Sequence, residues 1–236
     1  MALITCRDVS FSYDGNAVVS GLNFEVRKGD YLCVVGENGS GKSTLIKGLL
    51  GLKAPSSGEI TIGDGLRRNE IGYLPQQTVA QNDFPASVRE VVLSGRLSGR
   101  GLSPFYSRED KMTAEKNMSL LGIRDLRDKC YRELSGGQQR RALLARALCA
   151  AGKIALLDEP MTGLDPASAK ELYLEIEKIN REESLAIIMV SHDMRSVAKY
   201  AGRILHLRNK QEFFGAAEEY ADSDIGSEYM GRARDD

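Results

Sequence analysis

Tryptophan is absent from the 236-residue chain, and histidine occurs only twice. Its four cysteines, Cys6, Cys33, Cys130 and Cys149, are scattered and form no CxxC pair. That spacing argues against a disulfide framework or a cysteine-built zinc site, and it fits a reducing cytoplasm. No His-rich or Cys-rich tract is available to hold a transition metal. Long apolar runs are missing too. The longest, Ile154–Leu157 and Leu185–Val190, fall far short of the roughly 18 residues that a membrane span needs. Met1-Ala2-Leu3-Ile4-Thr5-Cys6 lacks the basic-then-apolar layout of a secretory signal. Neither sign of charge is in excess: 32 Lys and Arg face 33 Asp and Glu, a formal net charge of −1. This argues against a chain whose main task is to neutralise nucleic-acid phosphates.

With 42% hydrophobic and 28% charged residues, the chain has the composition of a globular protein with a sizeable core. Short β-like runs alternate with helical patterns, which favours an α/β architecture with a largely parallel sheet. The pattern predicts strands at Leu3–Cys6, Leu22–Val26, Tyr31–Val35, Glu59–Ile62, Ile71–Leu74, Ile154–Leu157, Ala186–Val190, Arg203–Leu207 and Gln211–Phe214. Helices are expected to begin near Lys42, Val88, Arg108, Gly136, Ala167 and Met194. We read residues 1–236 as one domain: a core of about 1–79 and 152–215 with a helical subdomain of about 80–151 inserted. The loop Ser98-Gly99-Arg100-Gly101-Leu102-Ser103-Pro104 in that insert is rich in turn formers. The tail, 216–236, carries seven acids and two arginines and is expected to form a short helix followed by frayed chain.

Gly36-Glu37-Asn38-Gly39-Ser40-Gly41-Lys42-Ser43 fits GxxxxGK[ST] at every position, with Thr44 following. It leaves an apolar strand and opens a helix, which is the context this motif requires. Glycines let successive backbone N–H groups point into one concavity, and the helix N-terminus adds partial positive charge, so a polyphosphate fits there. Lys42 is placed to reach the β- and γ-phosphates and Ser43 to coordinate Mg²⁺. Ile154-Ala155-Leu156-Leu157-Asp158-Glu159-Pro160 is an apolar strand ending in two acids. Ligands of parallel sheets bind outside the carboxyl ends of strands. Beside a phosphate loop, Asp158 therefore reads as a Mg²⁺ ligand, acting through water, and Glu159 as the general base toward an attacking water. On its own, such a pair reads equally well as a helix cap. Leu134-Ser135-Gly136-Gly137-Gln138 precedes another helical pattern. Ser135 is a natural N-cap there, and the two glycines leave backbone N–H groups at a helix N-terminus, a second anion site.

LSGGQ lying between a phosphate loop and an LLDEP strand resembles the ATP-binding-cassette family of ATPases, from about Ile4 to Phe214. The resemblance implies a P-loop NTPase (RecA-like) core with a parallel sheet, an N-terminal antiparallel β-part and an inserted helical subdomain. It implies ATP and Mg²⁺ as ligands and a head-to-tail pair of chains, with each ATP between the phosphate loop of one and the LSGGQ of the other. Ser135, Gly136, Gly137 and Gln138 then contact the nucleotide of the partner chain. Tyr13 matches the aromatic residue that stacks on adenine. Gln76, with Gln77 as its neighbouring possibility, matches the glutamine that senses Mg²⁺ and the water. Asp165, in Thr162-Gly163-Leu164-Asp165, matches the aspartate that crosses the dimer interface, and His192 the histidine on the γ-phosphate. His206, on an apolar strand, reads as structural. Met161 stands where the family more often has a small or polar residue, and leaves Asp158, Glu159 and Asp165 in register.

In this family the segment after the glutamine contacts a membrane permease. Asp83-Phe84-Pro85 and Val88-x-x-Val91-Val92-x-x-Gly95-Arg96 resemble the ATPases of zinc and manganese uptake systems. The expected function is therefore the ATP-hydrolysing subunit of a metal-ion importer. Such a subunit is cytoplasmic and peripheral on the inner face of the membrane, works with a second copy of itself and a transmembrane permease, and works indirectly with an extracytoplasmic substrate-binding protein. No nucleic-acid partner is expected. Siderophore and cobalamin importers share the V-x-x-V-x-x-G-R pattern and form the alternative. A soluble, non-transport ATPase of the family, acting on ribosomes or DNA, is disfavoured by the single cassette and the near-zero net charge.

Overall fold

The computed structural model describes residues 1–76, 85–99, 105–193, 197 and 199–235, without the side chains of 98, 99 and 230–235. The segment Gln77–Phe84, most of the 98–104 loop and the helix start expected at Met194 lie outside the described residues. Two compact units emerge, one of Met1–Arg68 with Asn180–Asp236 and one of Asn69–Ile179.

In the first unit, β1 (Ala2–Tyr13), β2 (Asn16–Arg27) and, further along the chain, β4 (Ser57–Ile62) form an antiparallel sheet with β1 in the middle. β1 and β2 are much longer than their predicted cores. A bulge explains why: Asp8 sits at φ 50° and the β1–β2 register shifts between Cys6 and Val9, which breaks the two-residue alternation a strand reading follows. β3 (Tyr31–Val35), buried at every residue, is followed by α1 (Lys42–Leu49). β3 lies between two parallel neighbours, β7 (Ala186–Val190) and β8 (Arg203–Leu207), and β9 (Gln211–Ala216) closes this edge antiparallel to β8. The uninterrupted apolar character of β3 and β7 is what a parallel strand covered on both faces requires.

The second unit contains β5 (Ile71–Leu74) and β6 (Ile154–Asp158), paired in parallel with Leu74 opposite Leu157. Its helices are α2 (Val88–Leu93), α3 (Arg108–Leu120), α4 (Gly136–Ala150) and α5 (Pro166–Glu183), the last running on into the first unit. α2, α3 and α4 each start with a capping box: Ser87 with Glu90, Ser107 with Asp110, and Ser135 with Gln138. Each cap satisfies two otherwise orphaned N–H groups and is worth about 1 kcal/mol. α4 packs on α2, α3 and β5 and is buried on almost every face.

The V-x-x-V-V-x-x-G-R pattern is an internal packing pattern. Val88, Val91 and Val92 are buried, a Cβ on Gly95 would stand 2.1 Å from the Arg146 carbonyl oxygen, and Arg96 pairs with Asp110 at 2.8 Å. The Arg96 hydrogen bond holds the Asp110 carboxyl below the usual carboxylate range.

Back in the first unit, the acidic tail is more ordered than its composition suggests. It forms α6 (Ala217–Ala221) and α7 (Asp224–Asp235). Tyr220 anchors it: the side chain is buried and its hydroxyl lies 2.9 Å from His206 Nδ1. Two tyrosines, Tyr220 and Tyr229, pack their rings on His206, and seven acids in the same stretch hide that apolar contribution from a reading by charge.

Candidate active site

In the first unit, the candidate residues gather at the carboxyl ends of β3 and β7. The two strands are parallel, with Val34 opposite Val190, so the residues after both emerge at one edge. After β3 comes the phosphate loop. Gly36 adopts φ 145°, and a Cβ there would lie 2.2 Å from the Leu207 carbonyl oxygen and 2.7 Å from Ser40 Oγ, so only glycine fits. Gly39 and Gly41 also have positive φ, and Gly41 is the N-cap of α1 with no side chain satisfying the first turn. Lys42 is nearly buried, and its Nζ donates to the carbonyls of Gly36 at 2.7 Å and Glu37 at 2.8 Å, which holds the ammonium inside the loop. Ser40 Oγ is buried without a hydrogen-bond partner among the described residues. A buried hydroxyl of this kind normally finds a partner, and a phosphate oxygen in the loop would supply one. Thr44 is buried, while Asn38 and Ser43 are exposed.

The loop is pinned from outside by Asn209, just beyond β8. Its backbone N–H donates to the Ser40 carbonyl at 3.2 Å, and its side-chain amide donates to the carbonyls of Gly39 at 3.2 Å and Val18 at 3.0 Å. The Gly36 N–H donates to Tyr229, an interaction that lowers the tyrosine pKa against the larger upward push of burial.

His192 follows β7 and is exposed at the same strand edge as Gly36. Tyr13 ends β1 with 42% of its surface exposed and with Lys53 Nζ 3.7 Å from its ring centroid. His206 behaves as the structural residue it was read to be: buried on β8, bound to Tyr220, with its pKa pushed down by burial first and by Arg208 next.

In the second unit, a separate cluster sits at the ends of β5 and β6. Asp158 is buried at the last position of β6 and is hydrogen-bonded by the Tyr73 hydroxyl. Burial and that carboxylate push the Tyr73 pKa up to about 12. Glu159 follows at φ 46°, a left-handed backbone that costs a side-chain-bearing residue about 1–3 kcal/mol and persists only where its surroundings hold it. Its Oε2 accepts from Gln76 Nε2 at 3.0 Å and from Thr162 Oγ1 at 3.1 Å. A carboxylate fixed by two donors keeps a defined direction and can still accept a proton from a water. Under this pair lies Arg140, of which nothing is exposed. Its guanidinium donates to four backbone carbonyls: Nε to Pro160 at 2.6 Å, Nη2 to Glu159 at 2.6 Å and Asp158 at 3.3 Å, and Nη1 to Pro75 at 3.4 Å.

Ser135 caps α4 as expected. Its N–H donates to Gln138 Oε1 at 3.1 Å, and the Gln138 N–H donates to Ser135 Oγ at 3.4 Å. Gly136 opens the helix, and Ser135, Gly137 and Gln138 line a cavity of about 170 Å³ with Arg141. Asp165 precedes α5 and accepts from the Ala167 and Ser168 N–H groups at 3.1 and 3.0 Å and from Ser168 Oγ at 2.6 Å. The Ser168 hydroxyl, then its N–H, holds the Asp165 carboxyl below the ordinary range.

Asn209, Tyr73, Thr162 and Arg140 were not among the residues selected from sequence. Thr162 lay within a quoted motif and could have been found by its spacing. The other three act across long sequence separations, and no local pattern marks them.

The model of the ABC transporter family matches residues 19–162. Over 219 residues the chain is 36% identical to the zinc transport system ATP-binding protein AdcC of Streptococcus pneumoniae, which covers 90% of this chain and 92% of that protein. Over 214 residues it is 35% identical to the manganese transport system ATP-binding protein MntB of Bacillus subtilis, covering 89% and 85% respectively. Among solved structures it resembles an ABC transporter in an inward-facing conformation, with a TM-score of 0.86 at 28% identity over 98% of this chain and 90% of that one.

Proposed function

This chain belongs to the ABC transporter family as an ATP-hydrolysing subunit, and from that premise we propose that it drives uptake of a divalent metal ion, zinc or manganese, through a separate permease. The similarity to zinc and manganese transport ATP-binding proteins over nearly the whole chain supports the ion class. No helix among the described residues is long and apolar enough to cross a membrane. The permease therefore supplies the path, and the chain works on it from the inner face. An extracytoplasmic binding protein delivers the ion, and nucleic acid plays no part.

The observation that carries the chemistry is the held carboxylate: Glu159 fixed by Gln76 and Thr162 at the strand end that follows buried Asp158. ATP binds with its phosphates in the loop of residues 36–44, on backbone N–H groups, Lys42 and the open Ser40 hydroxyl, and with adenine against Tyr13. Two chains pair head to tail, so that Ser135, Gly136, Gly137, Gln138 and Asp165 of each complete the site of the other. Glu159 takes a proton from the attacking water while Gln76 and His192 orient the water and the γ-phosphate. Hard oxygen donors suit magnesium, and Ser43, Asp158 and Gln76 would hold it. When bound there, it would neutralise phosphate charge. Closing two composite sites favours the paired state, and cleavage removes the γ-phosphate link and lets the pair open toward the permease.

The test is to trap a tagged Glu159→Gln full chain with ATP, purify it from detergent-solubilised native membranes, and identify copurifying proteins by mass spectrometry. A polytopic permease encoded beside an extracytoplasmic metal-binding protein is the expected result. Recovery of ribosomal proteins with no permease would refute the transport reading.

A further inference from the structure

Arg140 lies five residues past the N-cap of α4, beside Arg141, and the pair reads in sequence as solvated charge. The two side chains diverge. Arg141 pairs with Glu171 at 2.9 Å and Glu175 at 3.1 Å. Arg140 is buried completely and, among the described residues, makes no ion pair; its four hydrogen bonds all go to backbone carbonyls. A buried cation is costly unless it is fully hydrogen-bonded. Arg140 comes close to that condition: each guanidinium nitrogen is bonded, and four of its five N–H donors are used.

The choice of carbonyls is informative. Pro75 immediately precedes Gln76, and Asp158, Glu159 and Pro160 are the residues around the left-handed turn at Glu159. One rigid, planar group therefore holds the backbone on both sides of the 3.0 Å Gln76–Glu159 hydrogen bond, and it extends from the helix that Ser135–Gln138 opens. We propose that Arg140 is a positioning residue for ATP hydrolysis: its guanidinium fixes the backbone of Pro75 and of Asp158–Pro160, and through that backbone the Gln76–Glu159 pair. The proposal rests on the reading of Glu159 as the base. Burial pushes the Arg140 pKa down to about 10, which leaves the group charged at neutral pH. Lysine keeps the charge but not the planar fork, so it cannot reach all four carbonyls at once.

The test compares full-length wild-type protein with Arg140→Lys, Arg140→Gln, Glu159→Gln and the Arg140→Lys/Glu159→Gln double variant. Three quantities are read: the dissociation constant of a fluorescent ATP analogue, kcat and KM for ATP, and the melting temperature. A lost positioning contact lowers kcat at least about tenfold for Arg140→Lys, with KM and nucleotide affinity within about twofold. Arg140→Gln is slower still. In single turnover, Arg140→Lys adds no further loss once Glu159 is glutamine. Wild-type kcat in Arg140→Lys overturns the proposal, as does a parallel loss of kcat, nucleotide affinity and melting temperature, or an additive loss in the double variant. If neither single Arg140 variant melts cooperatively, the residue serves folding alone and the proposal falls. Wild-type turnover in Glu159→Gln is a different failure: it removes the reading of the base, whatever Arg140→Lys does.

Discussion

The phosphate loop and the acidic strand end, one in each unit, are built from different materials. The phosphate loop is made of main chain: positive-φ glycines, an uncapped helix start, and Asn209 bonding to carbonyls from outside. The acidic end is made of side chains: Tyr73 on Asp158, Gln76 and Thr162 on Glu159, and Arg140 beneath the turn. A loop that binds charge needs many donors at fixed spacing, and backbone amides supply them regardless of the side chains between the glycines. A carboxylate that handles one proton needs direction, which only specific partners supply. The loop, main chain with Lys42 inside it, therefore serves binding here, and the acidic end serves turnover.

That division can be broken at either end. Replacing Glu159 with Gln removes the proton acceptor and keeps the hydrogen-bonding shape, so kcat should fall by about 10²–10⁴-fold, as loss of general-base catalysis does, with ATP affinity retained. A steady-state phosphate-release assay beside a nucleotide titration checks both halves of the expectation. Lys42→Ala should behave in the opposite way. It removes the ammonium that the Gly36 and Glu37 carbonyls hold in the loop and should weaken ATP binding by about tenfold or more.

Gly36→Ala sharpens the contrast from the fold's side. The added methyl would meet the Leu207 carbonyl oxygen at 2.2 Å, so chemical denaturation should show a loss of about 1–3 kcal/mol together with weakened nucleotide binding. No equivalent substitution in the acidic half should couple stability to affinity in this way.

The smallest effect is on pH dependence and belongs to His206, which takes no part in the chemistry. Burial lowers its pKa below the unfolded value of about 6.5, so the neutral ring contributes stability that is present above that pH. The contribution is lost as pH falls through the lower folded value. Melting curves between neutral and mildly acidic pH should show this loss, and His206→Gln should reduce it.

Legibility in the sequence follows the same division. The phosphate loop, the Ser135 cap and the strand carrying Asp158 and Glu159 are local patterns, and their elements appear where the residues predict them. β1 was legible only as far as Cys6 because the turn at Asp8 interrupts its alternation. The order in the tail was hidden because the rings of buried Tyr220 and half-buried Tyr229, packed on His206, outweigh the surrounding acids. Arg140 was hidden because an Arg-Arg pair on a helix gives no sign of which member turns inward, and its partners are carbonyls up to 65 residues away.

The most direct test of this division is to measure ATP-analogue affinity and single-turnover hydrolysis together on Lys42→Ala and Glu159→Gln, in the full-length protein. The account predicts that Lys42→Ala loses affinity and that Glu159→Gln keeps wild-type affinity while its turnover collapses. Wild-type turnover in Glu159→Gln, or wild-type affinity in Lys42→Ala, would contradict it.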